Sequence, residues 1–191
     1  MTQSPSSVAP VSDGAIVIPI EDAINPFVKT GVAVWQSLCG QRKFPARADL
    51  TLRAMAPFLP YAVFIAVIDG GADYEFRYVG EAQRQAFHTY FKGMRVSQIE
   101  AVAPELGALL RGAYGLVAST GMPFAVRGRV DHEPAGSKFL YHESAFLPLG
   151  TNDAAVDHLL VVGVQIPEPF WKIPEDKLTG LADQLRPAVA A

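Results

Sequence analysis

Apolar residues recur at helical spacing in two long stretches of this chain. The first runs from Pro26 to Cys39, after an Asn25 suited to capping a helix and before a Gly40 suited to ending one. The second begins at Pro104 and ends at Gly121. Two shorter helices are predicted, from Leu50 to Ala56 and from Glu81 to Phe91.

Strand patterns occupy most of the remaining chain. The stretch from Tyr61 to Ile68 is continuously apolar, as in a central strand buried on both faces. From Phe124 to Val130 apolar and polar residues alternate, which is typical of a strand with one wet face. The segment from Ile16 to Ile20 has the composition of an edge strand docking on another element. The other predicted strands are Tyr74 to Val79, Phe139 to Leu147 and Leu159 to Ile166.

These elements predict an α/β fold of the α+β kind. It comprises five predicted strands of the core, short helices and one longer helix, with an N-terminal helix and a C-terminal tail. We divide the chain into a loose N-terminal segment (1–22), a single domain (23–166) and a Pro-containing tail (167–191).

The added helix, 26–39, carries an apolar stripe that includes Trp35 and therefore needs a partner. Two readings stay open at this point. The helix can pack as a lid on its own domain, or it can pair with a second copy about a two-fold axis. We predict a homodimer with this helix at its centre.

The run FRYVGEAQRQAF, followed by FKGMRVSQI, looks like the front half of a domain of the PAS sensory family. The resemblance implies a five-stranded antiparallel sheet with helices on one face, to which the N-terminal helix is an addition. The run FPARADLTLRAMAPFLPYAVFIAVID resembles the lead-in of short, stand-alone bacterial PAS-like proteins, and HESAFLPLG resembles their late strand. The resemblance covers residues from about Val34 to Gln165, and two strands, short helices, a longer helix and three strands follow in PAS order.

The charge and cysteine content limit the classes of partner and the cellular compartment that we expect. The net charge is −3 and the 16 Lys and Arg residues are scattered, so nucleic acid is not an expected partner. No stretch reaches the ~20 apolar residues of a membrane span, and we expect no membrane partner. Cys39 is the single cysteine, and the N-terminus lacks the pattern of a signal peptide. We therefore expect a cytoplasmic protein.

The cofactor expectations follow from the resemblance. In the heme-binding branch of the family an axial His comes from the pocket helices, usually from the longer one, which has no His here. Because His88 lies in a pocket helix, heme binding through His88 is the alternative to our prediction of no cofactor. The light-sensing branch needs a Cys on the pocket helix, and Cys39 lies before the core. The four histidines of the chain also lack metal-ligand spacing.

One group of residues in the sequence could support catalysis. His142 and Ser144 lie two apart in a predicted strand and so share a face, with Glu143 between them. Nothing in the sequence marks an oxyanion hole, and polar sheet positions explain the same residues. We predict that the protein is not an enzyme.

Arg77 and Glu143 are charged residues inside otherwise apolar strands. A charge in such a strand must be paired or lie at a face that binds something charged. One reading is a solvent-facing sheet position; the other is an Arg fork at the pocket mouth, suited to a carboxylate or phosphate. Aromatic residues complete the pocket in this reading, although the same set would fill a packed core. The predicted ligand-binding residues are Arg77, Tyr78, Phe87, His88, Phe91, Tyr114, Phe124, Tyr141 and Glu143.

The leading functional hypothesis is a non-catalytic PAS-like sensory or interaction module that binds a small molecule or a signalling partner protein. One alternative is a small-molecule-processing enzyme on a cone-shaped α+β fold, which would need an acid or base projecting into its cavity. The other is a ligand-free structural adaptor with a filled core and an exposed apolar patch.

Overall fold

An open sheet of six antiparallel strands forms the centre of the computed structural model, which describes residues 15–87, 91–128 and 141–166. Hydrogen-bonded neighbours follow the order β1-β4-β5-β6-β2-β3. The strands are β1 (Ala15–Ile18), β2 (Ala62–Ile68), β3 (Asp73–Val79), β4 (Phe124–Gly128), β5 (Tyr141–Leu149) and β6 (His158–Ile166). The α+β class is confirmed, and the sheet has one strand more than the five predicted.

The additional strand is β1, which pairs with β4 in a register that sets Ile18 opposite Ala125. Its residues belong to the N-terminal segment predicted to be loose, within which the sequence also indicated an edge strand. The edge strand is confirmed, and residues 15–18 are not loose. Residues 1–14 and the predicted tail, 167–191, lie outside the described residues.

Local capping sets the ends of the long helices. The N–H groups of Phe27 and Val28 donate to Oδ1 of Asn25 at 2.9 and 3.4 Å, and Gly121 ends the last helix with a φ of 65°. The helices are α1 (Pro26–Cys39), α2 (Leu52–Met55), α3 (Glu81–Phe87), α4 (Val96–Val102) and α5 (Pro104–Thr120). Within the described ranges, no helix combines the length and apolar character needed to span a membrane.

Strand β5 continues through Pro148, where the sequence predicted it to close. Proline is tolerated because β4 begins with Phe124 opposite Phe146, so β4 has no residue to pair with Pro148. The Pro148 carbonyl instead accepts a hydrogen bond from Nε1 of Trp35 at 2.8 Å. Proline usually weakens a central strand, but here the carbonyl of Pro148 holds α1 on the sheet.

Helices cover both faces of the sheet. Residues directly opposite each other on paired strands share a face, and successive residues alternate. Val162, which pairs with Ala145, lies under Gly31 of α1, so we call this side the α1 face. The next residue of β5, Phe146, has its ring 6.2 Å from that of Tyr114 in α5. This other side, which α3, α4 and α5 cover, is the α5 face.

Helix α1 packs its apolar stripe on its own domain. The buried residues of the stripe are Val28, Gly31, Val32 and Trp35. Trp35 is 5% exposed, and the opposite side of the helix presents Lys29, Gln36 and Ser37 to solvent. Helix α1 therefore packs as a lid on its own domain. The homodimer through helix 26–39 stays a prediction, but the stripe that motivated it already has a partner.

A methyl group at Gly31 is predicted to push α1 away from the sheet, because its Cβ would lie 2.7 Å from Cγ2 of Val162. We expect Gly31→Ala to lower the free energy of unfolding by about 1–3 kcal/mol, as overpacking does in cores. In the matched control, Gly112→Ala in α5, nothing lies within 4 Å of the new Cβ. That change should stabilise by about 0.5–1 kcal/mol. Urea denaturation measures both, and a neutral Gly31→Ala would contradict the packing of α1.

Candidate functional site

The α5 face of the sheet carries no carboxylate, ammonium or guanidinium among the described residues that alternation places on it. The charged residues Glu75, Arg127 and Glu143 alternate onto the α1 face. At the end of the sheet, the carboxylate of Asp73, the first residue of β3, accepts a hydrogen bond from Ser97 of α4 and pairs with Arg111 of α5. Apart from Tyr74, the polar residues that the register places on the α5 face are His142, Ser144 and Gln165. This face therefore combines apolar surface with a few neutral polar groups, which is the composition of a small-molecule site.

One half of the site is aromatic. The ring of Tyr114 lies 6.2 Å from that of Phe76 in β3 and 6.2 Å from that of Phe146 in β5, so it spans the middle of the sheet. Phe91 stacks on Phe76 at 5.4 Å, and Phe124 stacks on Phe146 at 4.8 Å. The structure thus brings together three of the predicted residues, Phe91, Tyr114 and Phe124. Phe76 and Phe146, which hold them, were not among the predicted residues.

Tyr114 itself is buried among these rings. The residue is 3% exposed. Burial raises the pKa of Tyr114, so the phenol stays neutral.

The other half of the site is polar and is built around Gly163 of β6. Nε2 of Gln83, in α3, donates to the Gly163 carbonyl and, at 3.4 Å, to that of Tyr61. A Cβ on Gly163 would lie 2.5 Å from Oγ of Ser144 and 3.4 Å from Nε2 of Gln83. Glycine is therefore what lets these two polar side chains approach the same point of the sheet.

His142 extends the polar half along β5. Its Nδ1 is buried and has no hydrogen-bond partner among the described residues. Burial lowers the pKa of His142, while the backbone of Gly128 opposes the shift, so the imidazole is neutral at pH 7. His142 and Ser144 share a face as predicted, but Glu143 faces the other way. The three residues do not assemble into a catalytic triad.

The structure does not bring Arg77 and Glu143 together. Arg77 lies in β3 at a β-bulge, and strands β2 and β6 separate β3 from β5. Its side chain is 55% exposed and pairs with Glu75 at 3.0 Å. Arg77 and Glu143 therefore do not pair with each other. The strand order that separates them was not visible from either strand alone.

The bulge also moves Tyr78 onto the α1 face, where it pairs with Phe64. Its hydroxyl donates to the Leu59 carbonyl at 3.1 Å, so Tyr78 lies outside the candidate site. Phe87 ends α3 with its ring 6.1 Å from that of Phe91, at the edge of the aromatic half. The prediction for His88 and that for the side chain of Tyr141 fall outside the described residues.

Glu143 has a structural role on the α1 face. It is fully buried, and the N–H groups of Ile24 and Asn25 both donate to its Oε1 at 2.9 Å. Asn25 in turn caps α1. The carboxylate therefore holds the start of α1 on the sheet, and it does not line the α5 face.

Sequence reasoning missed Gln83, Phe76 and Phe146. Alternation along β3 and β5 would have placed the two phenylalanines on one face, had the pairing of those strands been known. Gln83 gives no signal of its own, since glutamine is ordinary on an exposed helix surface. Its burial depends on the contact of α3 with Gly163.

Comparison of the chain with protein-family models, curated proteins and solved structures finds no match. In the part of the chain that the structure describes, no group of three or more His, Cys, Asp or Glu residues could hold a metal ion. The site is therefore interpreted from its own residues.

Glu143 and Arg77 are predicted to differ sharply in their effect on stability. Glu143→Ala leaves two N–H groups near the start of α1 without an acceptor, and we expect a loss of about 2–4 kcal/mol in the free energy of unfolding. Arg77→Leu removes a surface ion pair and should change it by about 0.5 kcal/mol or less. Urea denaturation of both variants measures the difference. Similar losses in the two would contradict the assignment of Glu143 as the anchor of α1.

Proposed function

We propose that the protein is a non-catalytic sensory module of the PAS type that binds a small molecule between the α5 face and helices α3–α5. One observation carries the proposal: Nδ1 of His142, on the α5 face, is buried without a hydrogen-bond partner among the described residues. Leaving a buried polar atom without a partner costs about 1–3 kcal/mol. This nitrogen is explained if a bound molecule supplies its hydrogen bond.

The order of elements supports the PAS part of the proposal. From residue 62 onward, strands β2 and β3 are followed by the short helices α3 and α4, the longer helix α5, and strands β4, β5 and β6. This is the order that the resemblance of FRYVGEAQRQAF and HESAFLPLG implies. Strand β1 and helix α1 are additions at the N-terminal side of that unit.

Binding accounts for the site better than catalysis does. A hydrolytic reading needs an orienting acid behind His142, and the neighbouring carboxylate of Glu143 is committed to the start of α1. The adaptor reading needs one contiguous apolar patch. Among the described residues, the large exposed apolar side chains lie instead on four separate parts of the chain: Ile16, Leu52, Val102 and Met122.

The route of the signal follows from adjacent residues of β5. Ser144 faces the candidate site, and Glu143 faces α1 and holds its first residues. A displacement of β5 caused by a molecule at Ser144 moves the Glu143 carboxylate, and the N–H groups of Ile24 and Asn25 follow it. Helix α1 is thus the element through which the module reports binding.

Native mass spectrometry of the purified full chain tests the proposal. We expect a discrete extra mass that is released on denaturation. Ser144→Phe should fill the polar half of the site and abolish that mass, whereas Ser119→Phe, an exposed position on α5, should keep it. Circular dichroism confirms that both variants fold, and if Ser144→Phe does not, Ser144→Val replaces it. A chain that carries no extra mass and is not stabilised by any member of a small-molecule library would overturn the proposal.

The absorption spectrum tests our prediction that the protein carries no cofactor. The longer helix, α5, has no histidine, and Cys39 lies in α1, on the other side of the sheet from the candidate site. We expect the absorption spectrum of the purified protein to lack a Soret band and flavin bands. A Soret band that disappears in His88→Ala would instead establish heme as the ligand.

A further inference from the structure

A basic segment, residues 41–53, follows α1 and runs into the first turn of α2. Although cations are scattered along the whole chain, this segment contains four of the 16 and presents all four to solvent: Arg42, Lys43, Arg47 and Arg53. Asp49 is its single carboxylate, so the formal net charge of the segment is +3, whereas that of the chain is −3. The basic segment thus has a charge opposite in sign to that of the whole protein.

Carboxylates lie close to the first cations of the basic segment. Arg42 forms an ion pair with Asp49, and the backbone N–H of Lys43 donates to Oδ1 of Asp153 at 3.0 Å. This end of the segment therefore presents both signs of charge. A dense polyanion, such as a nucleic acid backbone or an anionic membrane, would be repelled by the two carboxylates while it met the cations.

The second part of the basic segment carries cations without a carboxylate. In the part of the chain that the structure describes, neither Arg47 nor Arg53 forms an ion pair. The Arg47 guanidinium lies 4.3 Å from the centre of the Phe64 ring, and its Nη1 donates to the Leu50 carbonyl at 3.3 Å. Stacking on a buried ring orders this side chain before a partner arrives, while its remaining N–H groups stay available to an acceptor.

An apolar side chain accompanies these two cations. Leu52, the first residue of α2, directly precedes Arg53 and is 72% exposed. One leucine is too little apolar surface to enter a membrane. An apolar contact flanked by arginines is, in contrast, a common arrangement at protein–protein interfaces.

The charges and the leucine together define the kind of partner. We infer that the basic segment docks an acidic peptide segment of a partner protein, with carboxylates at Arg47 and Arg53 and an apolar residue against Leu52. The surface adjoins α1, since Nη2 of Arg42 donates to the Leu38 carbonyl at 3.2 Å. Because Phe64 lies on the α1 face, this inference holds whether or not a molecule occupies the α5 face.

Three labelled peptides test the chemistry of the partner. The acidic probe is a short peptide of Glu-Glu-Leu repeats; one control replaces every Glu by Gln, and the other replaces every Leu by Ser. Fluorescence anisotropy with the full chain at low salt should show binding of the acidic probe. We expect at least tenfold weaker binding of the Gln peptide and about threefold weaker binding of the Ser peptide. Because salt screens exposed charges, sodium chloride should weaken the acidic probe.

Charge reversals locate the docking surface. Arg53→Glu should weaken the acidic probe at least tenfold, and its fold should persist, because Arg53 makes no hydrogen bond or ion pair with the described residues. Lys92→Glu is the matched control: this exposed cation follows Phe91 on the α5 side, and the change should weaken the probe less than twofold. Arg47→Gln should weaken it about fivefold. Circular dichroism checks the fold of each variant.

The outcomes separate this inference from the proposed function. Failure of the acidic probe to bind, or equal losses in Arg53→Glu and Lys92→Glu, would overturn the docking surface. Phosphatidylserine vesicles and oligo(dT) are the competing partners, and tighter binding of either, lost in Arg53→Glu, would overturn the partner class. The native mass of the chain tests the small-molecule site independently of all these measurements.

Discussion

A buried carboxylate on β5 holds the start of α1 on the sheet. Glu143 is fully buried, and an ion at such a depth is tolerated only when donors surround it. Its donors include the N–H groups of Ile24 and Asn25, and Asn25 caps α1 with its own side chain. Trp35 then fixes the far end of the helix to the Pro148 carbonyl. Helix α1 is held to β5 at both ends and cannot slide over the sheet.

Local signals in the sequence were sufficient for the elements themselves. Asn25-Pro26 and Gly40 define α1 at the residues predicted, because a cap is decided by a few neighbours. The apolar run of β2 and the long stripe of α5 were equally clear. Phe91, Tyr114 and Phe124 were predicted as part of one aromatic site, since apolar residues of neighbouring elements must converge on a common core.

Contacts between strands distant in sequence could not be predicted in the same way. The β-bulge at Arg77 depends on how β3 meets β2, and it turns Tyr78 to the opposite face. Glu143 looked like a ligand-binding group because an isolated strand does not show which backbone N–H groups lie above it. Gln83 was missed for the same reason, since its burial depends on Gly163, eighty residues away along the chain.

The two faces of the sheet are coupled through the same few residues of β5 and β6. Glu143 and Ser144 are neighbours that serve α1 and the candidate site, and on β6 Val162 contacts Gly31 while Gly163 admits Gln83 and Ser144. The pairing of Ser144 with Gly163 and of Ala145 with Val162 makes these residues one block of the ladder. Packed interiors have little free volume, so a shift of residues on one face of this block displaces those on the other. A molecule that moves Ser144 therefore acts on α1 through adjacent residues, without a hinge elsewhere in the fold.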